Sequence, residues 1–117
     1  MIKQLETEAE FEAMLENSNH KPVFLFKHSS ACPVSARAWK KFSSFTENES
    51  GADYYRVLVI EDRPLSQYIA SHSGIRHESP QVILFDRGAP IWDESHWSIA
   101  EEALQEALTA RGTGNTR

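Results

Sequence analysis

The sequence predicts an α/β domain with a central, mixed four-stranded sheet flanked by helices. Three observations carry that expectation. Two β-rich runs, Pro22–Lys27 and Asp53–Ile60, bracket an amphipathic helical stretch that begins at Cys32, and such a crossover requires parallel neighbours. A later run, Gln81–Phe85, leads through the turn Arg87-Gly88-Ala89-Pro90 into Ile91–Glu94, which reads as a hairpin and hence an antiparallel pair. The 117 residues, 40% of them hydrophobic, suffice for one core and are too few for two.

Each element has its own local reason. Thr7-Glu8-Ala9-Glu10 has capping-box spacing, and Phe11, Met14 and Leu15 follow at helical intervals, so a first helix runs on to Ser18-Asn19. Pro22–Lys27 is continuously apolar up to its charged exit, as in a strand covered on both faces. From Cys32 the period becomes helical. Pro33 takes the first helical position, where a missing N–H costs nothing. Ala36, Ala38, Trp39, Phe42 and Phe45 supply the inward side of this helix, Arg37, Lys40 and Lys41 stay in solvent, and Gly51 closes it. Asp53–Ile60 is the second strand. Pro64 opens a short helix through Ile69, terminated by Gly74. Gln81–Phe85 and Ile91–Glu94 are the third and fourth strands. Ser98-Ile99-Ala100-Glu101 repeats the capping-box spacing ahead of a helix with Leu104, Ala107 and Leu108 turned inward. Residues 1–110 therefore read as a single domain and 111–117, polar and glycine-containing, as a frayed tail.

Charge and cysteine usage narrow the function classes. Twelve Lys and Arg against 17 Asp and Glu leave a net charge of −5, without the dense basic cluster of a nucleic-acid binder. No apolar run approaches the ~20 residues of a membrane span, and the acidic start Met1–Glu6 lacks a signal-peptide core. A single cysteine forms no internal disulfide, which fits a reducing compartment and an expected cytoplasmic location.

That cysteine, Cys32, falls where the first long strand hands over to a helix. Unpaired N–H groups and the helix dipole favour negative charge there, so the thiol is expected to ionise more readily than a free one. The N–H groups of Val34 and Ser35, behind Pro33, are expected to point at its sulfur. Lys27 and His28, just upstream, add positive potential if they face it. Ser35 stands three residues on, one turn along the helix. Its hydroxyl can donate a hydrogen bond to a thiolate but cannot form a disulfide. Thiol–disulfide exchange needs an exposed, ionised attacking sulfur, and Cys32 is the candidate; burial as a small apolar residue is the competing reading. His28 and His77 with Cys32 lack the short spacings of a metal site, so no metal is expected. Trp39 falls on the inward side of its helix. Trp97 either frames the site or anchors the last helix.

Four segments together, Lys27-His28-Ser29, Cys32-Pro33-Val34-Ser35, Gly74-Ile75-Arg76-His77-Glu78-Ser79-Pro80-Gln81 and His96-Trp97, resemble the monothiol bacilliredoxins of the thioredoxin-like superfamily. The resemblance implies a thioredoxin-like fold over nearly the whole chain. It implies that Pro80 is cis and faces Cys32, with Ser79 and Gln81 beside it in a substrate groove where the backbone before the proline pairs with substrate as an added strand. It further implies the removal of bacillithiol from S-thiolated client proteins, with Cys32 carrying the small thiol in a mixed disulfide. Bacillithiol is then a co-substrate, and no cofactor is bound. Because Ser35 cannot resolve that disulfide, a second thiol must regenerate Cys32. Two alternatives stand beside this. One is a glutathione-dependent, glutaredoxin-like monothiol protein; the cluster-binding kind carries Gly-Phe where this chain has Pro33-Val34. The other is a non-catalytic binding or redox-sensing module of the same fold.

Overall fold

The computed structural model describes residues 1–113 of the chain. Its elements are β1 (Ile2–Leu5), α1 (Glu8–Asn17), β2 (Val23–His28), α2 (Pro33–Asn48), β3 (Asp53–Leu58), α3 (Arg63–Ser73), β4 (Gln81–Asp86), β5 (Ala89–Ser95), a 3-10 turn (His96–Ser98) and α4 (Glu101–Thr113). The strands form one five-stranded sheet in the order β1-β3-β2-β4-β5. β1, β3 and β2 run parallel, while β2–β4 and β4–β5 are antiparallel. The mixed sheet is as anticipated, and the fifth strand is a correction. β1 is a four-residue edge strand in which only Leu5 is buried, too short and too polar to show an alternation.

Side-chain alternation along the strands divides the core in two. Val23, Leu25, Val57 and Ile83 point to one face and pack with Phe11 and Met14 of α1 and Leu65 and Ile69 of α3. Phe24, Phe26, Tyr54, Val82 and Leu84 point to the other and pack with Phe42 and Phe45 of α2 and Leu104 of α4. β2 is apolar on both faces because both are covered. Phe24, Phe26 and Phe42 are all 0% exposed, and each buried phenyl contributes on the order of 1.5–3 kcal/mol.

The capping box of α1 is present in full: Thr7 Oγ1 accepts from Glu10 N–H at 3.1 Å, and Glu10 Oε1 accepts from Thr7 N–H at 3.1 Å. Gly74 ends α3 at φ 74°, a left-handed position that glycine takes without Cβ strain. Other boundaries differ from expectation. α2 closes at an extended Glu49, φ −131°, so Gly51 lies beyond its end. Val59 N–H still bonds across to His28 C=O, but β3 stops at Leu58 because the chain then turns, with Asp62 N–H bonding to Leu58 C=O. α3 already starts at Arg63 and continues to Ser73. Ser98 belongs to the 3-10 turn; the first intrahelical bond of α4 ends on Ala100 C=O, which makes Ala100 the cap. α4 also runs through 111–113, the first part of the anticipated tail, and 114–117 lie outside the described residues. On α2 the inward positions are Ser35, Ala38, Phe42 and Phe45, whereas Ala36 is exposed. Among the described residues, no helix is long and apolar enough to cross a membrane.

Candidate active site

Strand register gathers the singled-out residues at one end of the sheet. Lys27 pairs with Gln81 across β2–β4, so the segment before Gln81 lies beside the chain that leaves β2 at His28 and leads to Cys32. Gln81 pairs in turn with Ser95 at the end of β5, which delivers the His96–Ser98 turn to the same end. The Ser79–Pro80 peptide is cis. Pro80 is buried, and its carbonyl accepts from His96 N–H at 2.9 Å, so the turn is tied to the proline segment.

Cys32 is a free, half-buried thiol at the N-cap of α2, with Pro33 exposed and Val34 half-buried behind it. Its backbone is fixed from both sides: Cys32 N–H donates to Ser29 C=O at 3.3 Å, and Ala36 N–H donates to Cys32 C=O at 3.0 Å. The side chain makes no capping hydrogen bond, so the sulfur is not held by the Val34 or Ser35 N–H groups as anticipated. Sulfur is a weak acceptor and a poor cap.

Ser35 also departs from its expected role. It is 0% exposed. Its Oγ accepts from Ser29 N–H at 2.9 Å and lies 2.8 Å from His28 Nδ1. The hydroxyl therefore clamps the turn between β2 and α2 and is not bonded to Cys32. His28 packs against Trp39, ring centroids 5.5 Å apart, and Trp39 lies under the Arg56 guanidinium at 5.0 Å. Burial, and secondly the Arg56 charge, hold the His28 pKa below its ordinary 6.5, against a smaller pull from Glu61. His28 is then neutral at neutral pH and adds no positive potential, contrary to expectation.

Lys27 is 0% exposed, on the strand face opposite Phe26, and its Nζ has no hydrogen-bond partner. Burial lowers its pKa to about 8, partly offset by Glu78. Glu78, the carboxylate that offsets part of the shift, stands two residues before Pro80. Gln81, anticipated in the groove, is 1% exposed and donates from Nε2 to Arg76 C=O at 3.0 Å. Alternation along β4 turns its side chain inward on the face of Lys27, where it braces the loop at Arg76, in place of the exposed groove position anticipated. Ser79 is half-buried, with an unpaired Oγ.

Trp97 is 65% exposed, so its ring is not an anchor for the last helix; the neighbouring Ile99, at 1%, serves that purpose. The Arg37 guanidinium sits 5.5 Å from the Trp97 ring centroid. Sequence reasoning left Arg37 in solvent, because nothing in α2 alone reveals a partner 60 positions away in the chain. Glu78, quoted within the Gly74–Gln81 segment but without a role of its own, lies 3.5 Å from His96 Nε2 and 3.8 Å from Arg76. Among the described residues no three His, Cys, Asp or Glu side chains converge as a metal would require. A depression of about 390 Å³ lined by Lys21, Glu49, Asp53 and Tyr54 lies at the far end of the sheet and contains none of these residues.

Comparison with known proteins bears on the family and the fold. A family model described as "Monothiol bacilliredoxin BrxC" matches residues 3–104. A solved structure described as a candidate oxidoreductase with a thioredoxin fold is 37% identical, with TM-score 0.83, covering 91% of this chain and 92% of that one. The thioredoxin of Malassezia sympodialis superimposes with TM-score 0.74 at 19% identity, over 93% of this chain and 89% of its own. That of Fasciola hepatica does so with TM-score 0.74 at 15% identity, over 92% and 96%. The last two show the thioredoxin fold.

Proposed function

Given that the chain belongs to the monothiol bacilliredoxin family, we propose that it strips bacillithiol from S-bacillithiolated client proteins and carries the small thiol on Cys32. The Cys32 thiolate attacks the bacillithiol sulfur of the client's mixed disulfide. That S–S bond breaks, the client leaves as a thiolate and is protonated from solvent, and a new disulfide joins Cys32 to bacillithiol, with no net oxidation. A second thiol from solution then attacks this disulfide and frees Cys32. The lone cysteine supports a reducing, cytoplasmic setting.

The observation that carries the reading is the pair Cys32 and Ser35: a free thiol at a helix N-terminus, with a buried, hydrogen-bonded hydroxyl where a resolving thiol would stand. Exchange can start there and cannot close internally. The test follows client release from a bacillithiolated protein. Wild type is expected to release it and Cys32→Ala is not; equal rates for the two overturn the enzymatic reading. A glutathionylated client removed faster than the bacillithiolated one moves the reading to a glutaredoxin-like protein.

A further inference from the structure

We propose that Arg37 and Trp97 form a subsite for a carboxylate of the small thiol held on Cys32. The inference rests on the carrier reading and adds what the carried thiol must look like. Trp97 is 65% exposed, yet its backbone is well fixed. His96 before it takes φ 54° and bonds to Pro80 C=O at 2.9 Å, Ile99 N–H bonds back to His96 C=O at 3.3 Å, and Ile99 is 1% exposed. A bulky indole is thus held out at the end of the sheet where Cys32 lies.

The guanidinium over this ring, 5.5 Å from its centroid, is within cation–π range. Arg37 is exposed, five residues beyond the cap of α2, which places it roughly 7–8 Å along the helix from Cys32. Among the described residues it makes no ion pair, and the carboxylate of Glu78 is engaged by Arg76 and His96. A guanidinium steadied on an indole face keeps its N–H fork free, and that fork matches a carboxylate in two-point geometry. In a chain of net charge −5, an unpaired cation on the helix that Cys32 caps selects for an anionic body on the sulfur it receives.

The test uses small disulfides, so it is independent of any client. Purified protein is reacted with glutathione disulfide, which bears carboxylates, and with neutral hydroxyethyl disulfide, and adduct formation is followed by intact mass. Relative to wild type, Arg37→Gln is expected to lower the rate ratio, anionic over neutral, about tenfold, the effect of one charged contact. Arg37→Lys lowers it less, and Trp97→Ala lowers it by freeing the guanidinium. Lys40→Gln, which removes an exposed charge elsewhere on α2, leaves the ratio unchanged. An unaltered ratio in Arg37→Gln, or an equal fall in Lys40→Gln, overturns the subsite. So does a loss in Arg37→Gln that is the same for both disulfides, which would mark a general effect on Cys32 and no recognition of charge. Failure to strip a bacillithiolated client while the ratio still shifts would defeat the carrier reading alone.

Discussion

A hydroxyl at position 35 does two things at once: it withholds a second thiol and it ties the chain that presents the first. Ser35 Oγ meets Ser29 N–H and His28 Nδ1 while wholly buried. Ser35→Ala leaves both groups short of a partner and is expected to cost about 1–2 kcal/mol, read as a lower urea midpoint with an unchanged slope. No loss would mean the clamp is idle. Lys27 gives a prediction with a pH signature. Its ammonium is buried without a partner, and its pKa is lowered from 10.5 to about 8. Between those values the unfolded chain binds a proton that the folded one lacks, so this contribution to stability rises with pH across that window. Below pH 8 the buried charge destabilises in full. Lys27→Met is therefore expected to be more stable than wild type at pH 7 by roughly 1–3 kcal/mol. The advantage shrinks as pH climbs from 8 toward 10.5; urea midpoints at pH 7 and 10 check it, and a gap that stays constant contradicts the burial argument. Residue type alone revealed Cys32 but not the directions of Lys27, Ser35 and Gln81. Each is a polar residue turned inward by the period of its strand or helix, and only the paired register shows it.

At the scale of elements, local chemistry was most legible where one residue type is required. The capping box at Thr7 and the glycine at 74 are such places, since a donor pattern or a positive φ admits few residues. Gly74 sits at φ 74° with nothing within 4 Å of where a Cβ would be. Gly74→Ala is therefore expected to cost about 1–2 kcal/mol through backbone strain alone, with no steric component and no loss of the fold. A drop in urea midpoint well beyond that would point to a contact absent from this account. β1 could not be read because edge pairing to Tyr54–Val57 is a property of the partner strand as much as of Ile2–Leu5. Apolarity alone argues for Ala36 on the inward side, yet it is exposed, and the stripe Ser35, Ala38, Phe42, Phe45 is the one that meets the sheet. Arg37 is free to reach Trp97 because it lies off that stripe.

For the whole molecule, the sheet acts as a frame with two covered faces and one working end. Parallel β2–β3 and antiparallel β2–β4 together bring the Cys32 turn, the cis Ser79–Pro80 segment and the Trp97 turn to that end. Order of elements and hairpin position made the fold class readable from the chain; which loops meet at which end followed only from the register. The central claim is that Cys32 finishes half a reaction and waits for outside help. It is tested most directly by mixing the protein with a bacillithiolated client in the absence of any other thiol and recording the intact mass of both. One bacillithiol is expected on Cys32 for each client thiol released, stable until a free thiol is added. A client that keeps its bacillithiol, or that becomes joined to Cys32 by a lasting disulfide with the bacillithiol released, would contradict it.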